Sequence, residues 1–248
     1  MAVKAILLAA GAARRLAPIT DRTHKCLLPV GGRSLLDRML AALATNGVEE
    51  AVIVVGHCQD QVRAEAGSGR GAMRVSYVEN SEYQKGSILS LWRARETMTR
   101  DTTLVMDADV LFPDVFVQRL IAAPAASALL LDRGFTDTGE EVKLYAVGDR
   151  VIALGKKFVP QSWDVIGEGI GFFKCSPEHA PEYIRLLAES IQEMGGSNEY
   201  EDALHQLLGR VPVGWVDVTG LPWTEVDFAE DLRRAESVVL PQIERLGH

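Results

Sequence analysis

The residues best suited to chemistry lie near the amino terminus, where a loop of small side chains leads into basic ones. The run from Leu8 to Leu16 reads LAAGAARRL, and Lys25 follows it. Small residues let backbone N–H groups approach a phosphate closely, and arginine and lysine supply the charge that a polyphosphate attracts. No G-x-x-x-x-G-K-[ST] occurs, so the run is not a P-loop. It is either a polyphosphate-binding loop or a small-residue turn with solvated arginines.

Carboxylates form a second group of candidates. Asp107 and Asp109 follow the apolar run 103–106, and Asp227 lies in the late segment LPWTEVDF. Acidic side chains at the end of a buried strand stand above the sheet, where they can hold Mg²⁺. An ion held there would neutralise charge on a bound phosphate group. The alternatives are an aspartate that caps a turn and one that the macrodipole favours at a helix N-terminus.

The carboxyl-terminal part of the chain combines carboxylates with aromatic side chains. They are Glu199, Glu201, Asp202, Asp217 and Glu225, with Tyr200, Trp215 and Trp223. Carboxylates and aromatic faces attract a primary or quaternary ammonium group through charge and cation–π interaction. The ordinary alternative is a solvated first helical turn at residues 200–202, with the tryptophans in the core.

Short apolar runs alternate with helical patterns in the first half of the chain. They predict strands at residues 3–8, 51–55, 73–78 and 103–106, and helices at 34–44 and 87–98. Such alternation is typical of a mostly parallel sheet that is covered by helices on both faces. Ligands of these sheets bind at the carboxyl ends of the strands, where the small-residue loop and the two aspartates lie.

After about Ser127 the pattern changes to consecutive strands. Strands are predicted at 128–131, 141–147, 150–154, 169–174 and 213–218, and helices at 177–194, 200–208 and 228–246. We therefore predict an α/β fold with a Rossmann-like, mostly parallel mixed sheet. A nucleotide-binding half (1–126) and an acceptor-binding half (127–248) would form one domain without a linker.

Composition narrows the class of protein. Hydrophobic residues make up 47% and charged residues 24% of the 248, as in ordinary globular proteins. The net charge of −8 argues against a nucleic-acid-binding surface, although residues 1–40 carry +5 and residues 41–248 carry −13. No apolar run approaches the roughly 18 residues of a transmembrane span.

Cysteine usage and the start of the chain bear on the compartment. Cys26, Cys58 and Cys175 are too few for a disulfide framework, and the absence of C-x-x-C makes a structural zinc site improbable. The first thirteen residues resemble a signal peptide in outline, but their apolar run is short and cleavage would destroy the loop that follows. We expect a cytoplasmic enzyme.

The amino-terminal run resembles the signature of the nucleotidyltransferases that activate phosphorylated sugars and alcohols. Their pattern is A-A-G-x-G-T-R-L, followed by Thr, Pro-Lys and Pro-Val. The matching residues here are Ala9, Ala10, Gly11, Arg15, Leu16, Thr20, Lys25, Pro29 and Val30. Three positions depart from the pattern: Ala13 replaces the usual Gly, Arg14 replaces Thr or Ser, and His24 replaces Pro. The resemblance implies the nucleotide-diphospho-sugar transferase type of fold.

The resemblance also implies which residues hold the nucleotide. The loop would grip the triphosphate with Leu8, Ala9, Ala10, Gly11, Ala12, Ala13 and Arg14. Arg15 and Lys25 would be the catalytic residues, because they stabilise charge on the transferred phosphoryl group. Gly86 and Ser87 would meet the base, with Asn80 as a weaker candidate, and a plain helix N-cap is the alternative for Ser87.

The late segment from Trp223 to Asp231 resembles the W-x-E-I-D-x-x-x-D pattern of the phosphocholine cytidylyltransferase-like branch of this family. The resemblance implies that Asp109 and Asp227 are the two ligands of Mg²⁺. Asp107 would assist at the nucleotide through water. Glu225 would contact the substrate or support Asp227.

Acceptor-binding residues follow from the same resemblance and from the carboxylate-rich second half. Lys156 matches a family lysine that meets the phosphate of the acceptor, and the neighbouring Lys157 is the alternative. Glu168 lies in the strand that lines the acceptor pocket in the family. Glu201 and Trp223 are the further candidates for an ammonium group. A solvated hairpin lysine is the ordinary alternative for Lys156.

These features predict a cytidylyltransferase that transfers CMP from CTP to a small phosphorylated alcohol or phosphonate. Phosphocholine and 2-aminoethylphosphonate are the favoured acceptors, and a sugar 1-phosphate or an inositol phosphate is the alternative. Two other classes stay open: a non-catalytic nucleotide-binding regulatory homologue, and a glycosyltransferase that uses Asp107 and Asp109 as an Asp-x-Asp metal motif. We expect no nucleic-acid partner, and the sequence carries no signal for an oligomeric state.

Overall fold

In the computed structural model, which describes residues 2–247, ten strands form one mixed sheet with helices on both faces. The strands of the chain are β1 (Val3–Ala9), β2 (Pro29–Val30), β3 (Arg33–Ser34), β4 (Glu50–Val55), β5 (Gly69–Arg70), β6 (Met73–Glu79), β7 (Thr102–Asp107), β8 (Val110–Leu111), β9 (Ser127–Asp132), β10 (Lys143–Val147), β11 (Arg150–Gly155), β12 (Val165–Cys175), β13 (Val213–Asp217) and β14 (Thr224–Glu225).

Helices follow or separate most of these strands. The α-helices are α1 (Leu35–Thr45), α2 (Gln59–Ala66), α3 (Ser87–Ala94), α4 (Val115–Ala122), α5 (Ala180–Met194), α6 (Tyr200–Leu208), α7 (Ala229–Arg234) and α8 (Leu240–Arg245). Short 3₁₀ turns lie at Arg14–Leu16, Ile19–Asp21, Lys25–Leu27 and Arg95–Thr99, and a π-helical segment lies at Ala235–Val239. Within the described part of the chain, no helix is long and apolar enough to cross a membrane.

The order of strands in the sheet is β10-β11-β13-β9-β12-β7-β1-β4-β6-β5. Neighbours β7, β1, β4 and β6 pair in parallel, whereas β12 is antiparallel to both β7 and β9. The predicted mixed α/β fold is therefore confirmed, with parallel pairing concentrated in the first half of the chain. The sheet runs through both halves because β12 is hydrogen-bonded to β7 on one side and to β9 on the other.

The two faces of β1 show why the central strands are buried. Ala5 and Leu7 point into a core that contains α1 and α4, and Ile6 points into a core that contains α3, α5 and α6. A parallel strand covered on both sides needs apolar residues at successive positions, as in AILLA, and each large one contributes about 1.5–3 kcal/mol. This packing fixes the carboxyl end of β1, from which the small-residue loop leaves.

The carboxyl-terminal helices pack against the small-residue loop 8–16, which we call the signature loop. Leu240 and Ile243 of α8 join a third core with Leu16, Val30 and Val226. The predicted helix 228–246 is instead three consecutive segments, α7, the π-helical turn and α8. Because Pro241 has no N–H to donate, the regular ladder of hydrogen bonds is interrupted there.

Several other predicted boundaries were displaced. The helix predicted at 87–98 becomes 3₁₀ after Ala94, and the helix predicted from 177 begins at Ala180. The strand predicted from residue 141 begins at Lys143, because the Glu141 carboxylate accepts hydrogen bonds from the N–H groups of Thr138 and Gly139 and so belongs to the preceding turn. The strand predicted at 169–174 extends from 165 to 175. The strand predicted to reach 218 ends one residue earlier.

Candidate active site

A cavity of about 1070 Å³ opens at the carboxyl ends of β1 and β7 and is lined by both halves of the chain. The signature loop and the helix α3 N-terminus form one side, and β12, α6 and the loop between β9 and β10 form the other. This is the edge where ligands of open α/β sheets bind. Most residues that the sequence singled out line this cavity.

The signature loop is held open towards the cavity by local contacts. Ala13 adopts the left-handed conformation (φ 46°), and its carbonyl accepts hydrogen bonds from the Thr20 hydroxyl (2.9 Å) and the Leu16 N–H (3.0 Å). Glycine adopts this conformation without strain, whereas alanine does so at a cost of about 1–2 kcal/mol. The departure Ala13 therefore keeps the backbone shape that a glycine would give.

Six of the seven predicted loop residues line the cavity, and Ala9 does not. Leu8, Ala10, Gly11, Ala12, Ala13 and Arg14 are the lining ones. Ala9 is the last residue of β1, and its side chain is fully buried in the core shared with α1. Its side chain therefore supports the sheet beneath the loop. Gly11 has open space where a Cβ would stand, so nothing in the chain itself crowds that position.

Three carboxylates meet at the centre of the cavity wall. Oxygens of Asp109, Glu225 and Asp227 lie within 4.8 Å of one another. Glu225 and Asp227 follow Asp109 by 116 and 118 positions in sequence. The two-residue strands β8 and β14 bring them together, because Glu225 pairs with Val110 and the Val226 N–H donates to the Asp109 carbonyl (3.0 Å). Such a cluster can hold a metal ion, which is what the sequence predicted for Asp109 and Asp227.

Asp231 orders the second half of this cluster. Its carboxylate accepts hydrogen bonds from the backbone N–H groups of Asp227 (3.0 Å) and Phe228 (2.8 Å) at the start of α7. Acidic side chains are favoured at this end of a helix because they satisfy free N–H groups. The spacing of Asp227 and Asp231 in the signature is thus explained by a helix cap.

Both predicted catalytic cations contact the carboxylates. Lys25 Nζ lies 2.5 Å from Asp109 Oδ2 and 2.6 Å from Asp227 Oδ1, and Arg15 lies 2.6 Å from Asp227 Oδ2. Burial alone lowers the pKa of Lys25, but the carboxylates of Asp109 and Asp227 outweigh it and raise this pKa above its ordinary value. The guanidinium of Arg15 also stacks over the Phe228 ring, 5.3 Å from its centroid.

Two further acidic groups have perturbed protonation. Glu225 faces the cavity. Loss of solvation within the protein and the negative charges of Asp109 and Asp227 raise the pKa of Glu225 to about 8. Burial and the carboxylate of Glu201 raise the pKa of Asp107 well above its ordinary value. Asp107 also accepts a hydrogen bond from the Tyr200 hydroxyl (3.0 Å). Its side chain is therefore engaged by α6, while Asp109 alone of the pair joins the metal-type cluster.

The segment predicted to meet the base has a structural task as well. Gly86, not Ser87, is the N-cap of α3, and a Cβ there would overlap the carbonyl of Asn198. The Ser87 hydroxyl accepts from the Tyr200 N–H (3.1 Å), and the Ser87 N–H donates to the Glu199 carboxylate (2.9 Å). The glycine thus permits close packing of α3 on the α5–α6 connection, while both residues still line the cavity.

Asn80 lies behind the cavity wall and not on it. It is fully buried, donates to the Ser90 hydroxyl (3.0 Å) and accepts from the Glu82 N–H (3.0 Å). A direct contact with a base is therefore not available to its amide in this arrangement. Ser90, which Asn80 holds, does line the cavity.

The four residues predicted to bind the acceptor, Lys156, Glu168, Glu201 and Trp223, all line the cavity. Lys156 is half-exposed and lies 3.7 Å from Glu140. Burial raises the pKa of Glu168 to about 7, with contributions from the nearby carboxylates of Glu141 and Asp132.

The structure places other predicted acceptor residues away from the cavity. Trp215 donates to the Gly148 carbonyl (3.0 Å), and Asp217 forms an ion pair with Arg133 (2.7 Å). These two residues therefore belong to the outer part of the sheet, on β13. Asp202 also lies outside the set that lines the cavity.

The loop between β9 and β10 was not predicted as part of the site. Its cavity-lining residues are Asp132, Gly134, Phe135, Thr136, Thr138, Glu140 and Glu141. Asp132 accepts a hydrogen bond from the Trp223 indole (2.8 Å), which ties the loop to the signature of the second half. The cluster of Gly, Thr and Asp residues after a strand signals a loop, but nothing in the spacing tells which wall the loop forms.

A comparison with protein families matches residues 5–141 of the chain to the MobA-like NTP transferase domain. This match covers more than half of the chain. The chain belongs to this family. The matched residues include the signature loop, Lys25 and Asp109, whereas the second carboxylate, Asp227, lies beyond them.

Characterised relatives match nearly the whole chain. The CMP-5'-(3-aminopropyl)phosphonate synthase of Streptomyces rubellomurinus is 32% identical over 241 residues, which are 94% of this chain and 38% of that protein. A bifunctional IPC transferase and DIPP synthase of Rubrobacter xylanophilus is 32% identical, covering 93% and 52%. The 2-aminoethylphosphonate cytidylyltransferase of Lancefieldella rimae is 30% identical, covering 92% and 89%. The chain therefore spans about half or less of the first two relatives.

Solved structures share the fold at lower sequence identity. A CTP:phosphocholine cytidylyltransferase from Streptococcus pneumoniae has a TM-score of 0.72 at 20% identity, covering 96% of this chain and 99% of that one. The inositol-1-phosphate CTP transferase from T. maritima has a TM-score of 0.79 at 20% identity, covering 100% and 97%. These likenesses confirm the predicted type of fold.

Proposed function

We propose that this protein is a cytidylyltransferase that transfers CMP from CTP to a small phosphonate or phosphorylated alcohol and releases pyrophosphate. The observation that carries the proposal is the convergence of Arg15 and Lys25 with Asp109, Glu225 and Asp227 beside an open small-residue loop. Two fixed cations and a carboxylate cluster at the carboxyl edge of the sheet suit a triphosphate with its metal ion.

The residues present fit Mg²⁺. The donors are carboxylate oxygens, which hard divalent cations prefer, and Oδ1 of Asp109 is buried and accepts no hydrogen bond from the described residues. Asp109 and Asp227 would hold the ion, with Glu225 beside them. When bound, Mg²⁺ neutralises charge on the transferred phosphoryl group and on the leaving pyrophosphate.

The chain's own residues align and neutralise the reacting groups. Backbone N–H groups of the signature loop bind phosphate oxygens, and Arg15 and Lys25 oppose the charge that develops as pyrophosphate departs. The phosphonate or phosphate oxygen of the acceptor is already ionised near neutral pH, so no general base is needed. Catalysis then depends on alignment and charge stabilisation, which a preorganised cavity supplies.

CTP is the proposed nucleotide because two relatives that match more than nine-tenths of this chain are named for cytidylyl or CMP chemistry. The base would lie against the wall formed by Gly86, Ser87 and Ser90. Gly86 and Ser87 are fixed by backbone contacts with the α5–α6 connection. A wall held by hydrogen bonds on both sides keeps its shape, which favours discrimination by size.

An acceptor that carries both a phosphonate or phosphate and an ammonium group fits the second half of the cavity. Lys156 is the cation for the acid group, and Glu168, Glu201, Asp132 and Glu141 surround the remaining space. Two relatives are named for aminoalkylphosphonate substrates, which supports this class. We therefore propose 2-aminoethylphosphonate and similar aminoalkylphosphonates first, and phosphocholine next.

Inositol phosphate is the second candidate acceptor, because a solved structure that shares this fold is named as an inositol-1-phosphate CTP transferase. The regulatory and glycosyltransferase hypotheses are less well supported. A regulatory homologue needs no converging Lys25, Asp109 and Asp227, and an Asp-x-Asp glycosyltransferase would pair Asp109 with Asp107 and not with Asp227. We also keep the cytoplasm as the proposed location, since CTP is made and used there.

Pyrophosphate release tests the proposal. The four nucleoside triphosphates are combined with 2-aminoethylphosphonate, phosphocholine, inositol 1-phosphate and glucose 1-phosphate in the presence of Mg²⁺. We expect release with CTP and an aminoalkylphosphonate, and none from Asp109→Asn, which retains the size of the side chain. Release with inositol 1-phosphate alone would select the second candidate, and no release with any pair would refute the transferase proposal.

A further inference from the structure

The ammonium group of Lys25 lies inside the carboxylate cluster to which the metal is assigned. Its Nζ contacts Asp109 Oδ2 at 2.5 Å and Asp227 Oδ1 at 2.6 Å, and only 12% of its side-chain surface is exposed. Asp109 and Asp227 are themselves mostly buried, because only 19% and 18% of their side-chain surfaces are exposed. Lys25 is therefore the internal counter-ion of these two carboxylates, and no bulk water separates the three groups.

Oδ1 of Asp109 accepts no hydrogen bond from the described residues and is free for a divalent ion, but both oxygens of Asp227 already contact a cation. Lys25 contacts Oδ1 of Asp227, and Arg15 contacts Oδ2. Mg²⁺ binds carboxylate oxygens at about 2.0–2.1 Å and demands near-octahedral geometry. An ion held by Asp109 and by Oδ1 of Asp227 would lie next to the Lys25 ammonium group, which contacts Oδ1 of Asp227 at 2.6 Å, and the two cations would repel each other. Binding of the ion is therefore opposed for as long as Lys25 contacts Asp227 Oδ1.

Arg15 occupies a different place. It contacts Asp227 through the other oxygen, Oδ2, and half of its side chain is exposed. It also rests on the Phe228 ring, so its position depends on α7 as well as on the carboxylate. Arg15 can therefore remain where it is when an ion binds between Asp109 and Asp227. The chain thus offers one cation inside the cluster and one on its rim.

The destination of Lys25 is close at hand. The lysine is carried by the 3₁₀ turn Lys25–Leu27 and lines the same cavity as the signature loop. A flexible four-carbon stem lets the ammonium group move while the turn stays in place. A bound triphosphate would present phosphate oxygens beside this loop, and these oxygens are the alternative anionic partner for the ammonium group.

We propose that Lys25 competes with the metal ion for Asp109 and Asp227, and that the arriving triphosphate draws Lys25 away so that metal and nucleotide load together. The inference rests on the proposed function for the identity of the triphosphate. The competition itself depends only on Lys25 and the two carboxylates. Lys25 therefore keeps the cluster balanced in charge before substrate binds, and it opposes binding of a metal ion alone.

The test measures Mn²⁺ binding without nucleotide or acceptor. Free Mn²⁺ is followed by electron paramagnetic resonance during titration of the wild-type protein, Lys25→Met and the control Arg15→Met. Both variants remove one positive charge that contacts Asp227, but only Lys25→Met removes the cation that lies between Asp109 and Asp227 and contacts Asp227 Oδ1. Thermal unfolding followed by circular dichroism verifies that each variant is folded, and Lys25→Gln provides a second, polar variant if Lys25→Met does not fold.

We expect Lys25→Met or Lys25→Gln to bind Mn²⁺ at least about tenfold more tightly than the wild type, because a contacting like charge has been removed. Arg15→Met is expected to change the affinity less than about threefold, since it leaves Lys25 in the cluster. Equal gains in the Lys25 and Arg15 variants, or no gain in either Lys25 variant, would overturn the competition. Pyrophosphate release by the wild-type protein together with either result would leave the proposed function standing.

Discussion

Lys25 illustrates how one side chain can stay charged while it is nearly enclosed by protein. Burial disfavours the ammonium form, and the two contacting carboxylates more than compensate, so the pKa of Lys25 rises above its ordinary value. The same contacts make the lysine the counter-ion of two of the three acidic groups that lie close together. Lys25 thus balances charge in the cluster, and it is also one of the two proposed catalytic cations.

His24, which precedes Lys25, prepares the turn that carries it. Its Nδ1 accepts a hydrogen bond from the Cys26 N–H (3.2 Å), and its backbone angles (φ −74°, ψ 144°) are ones that proline also adopts. We predict that His24→Pro, the residue of the family pattern, retains most activity, because the ring fixes the same φ. His24→Ala has neither the side-chain hydrogen bond to the Cys26 N–H nor the fixed φ of proline, and it should lower kcat several-fold.

Initial rates of pyrophosphate release, measured at saturating CTP, test this role. A cap of this kind contributes about 1 kcal/mol, so His24→Ala should still fold. A structural role alone would lower the melting temperature of His24→Ala without changing kcat. Equal loss of kcat in His24→Ala and His24→Pro would show that the imidazole itself, and not the shape of the turn, matters.

Glu168, which lines the cavity, makes the stability of the fold depend on pH. Burial, Glu141 and Asp132 raise its pKa to about 7, and Arg234 opposes them. Because the folded pKa lies above the unfolded value of 4.5, the protonated group contributes stability that is present below about pH 4.5 and is lost as the pH rises through 7. Glu168→Gln cannot ionise and should therefore become more stable than the wild type as the pH rises from 5 to 8.

Melting temperatures of the two proteins across this range provide the measurement. The control is Glu178→Gln, since Glu178 is exposed and lies outside the cavity. The difference between Glu168→Gln and the wild type should grow towards pH 8, while the control should follow the wild type. A constant difference at all pH values would mean that Glu168 does not titrate in this window.

At the scale of elements, two very short strands position the carboxylate cluster. The pairing of β8 with β14 brings Asp109 beside Glu225 and Asp227. The resemblance to a family signature predicted that Asp109 and Asp227 would lie close together. It could not predict the pairing, because a two-residue strand carries no periodicity and gains its stability from the core formed by α8 and the signature loop.

The contact between α3 and the α5–α6 connection makes a sharp prediction at this scale. A Cβ at Gly86 would overlap the Asn198 carbonyl, which is backbone and cannot turn away, so Gly86→Ala should destabilise the fold by about 1–3 kcal/mol. Gly209→Ala is the matched control, because a Cβ there meets the Gln206 carbonyl at an ordinary 3.5 Å.

Urea unfolding at equilibrium gives the free energies of both variants. Gly86→Ala should also weaken CTP binding, since the base wall moves with α3. If Gly86→Ala is as stable as Gly209→Ala, the close approach of the two backbones is not a constraint on the fold.

Long, strongly patterned elements were the predictable ones, as the helices show. The apolar period and the serine cap predict α1, and Ser34 does accept a hydrogen bond from the Asp37 N–H (3.0 Å). Helix α2 was missed because only Val62 and Ala66 of its eight residues are buried, so its pattern is weak. Helix α4 was missed because its sequence VFVQRLIA is rich in branched residues that equally favour a strand.

At the scale of the whole molecule, the charge asymmetry of the sequence becomes a division within one cavity. Arg15 and Lys25 come from the positively charged first forty residues, and the acidic remainder supplies both the metal-type cluster and the carboxylates around the acceptor space. The signature loop was predictable from sequence because its residues are consecutive in the chain. The loop between β9 and β10 was not, because its place on the wall depends on contacts such as that of Asp132 with Trp223.

The central claim is CMP transfer to an acceptor that carries both a phosphonate and an ammonium group, and ³¹P NMR of one reaction tests it most directly. CTP, Mg²⁺ and 2-aminoethylphosphonate are mixed with the wild-type protein or with Asp227→Asn. We predict that the wild type converts the CTP and phosphonate signals into pyrophosphate and a coupled phosphonate–phosphate anhydride, while Asp227→Asn does not. Unchanged CTP and phosphonate signals with the wild type, under conditions where the protein remains folded, would contradict the account.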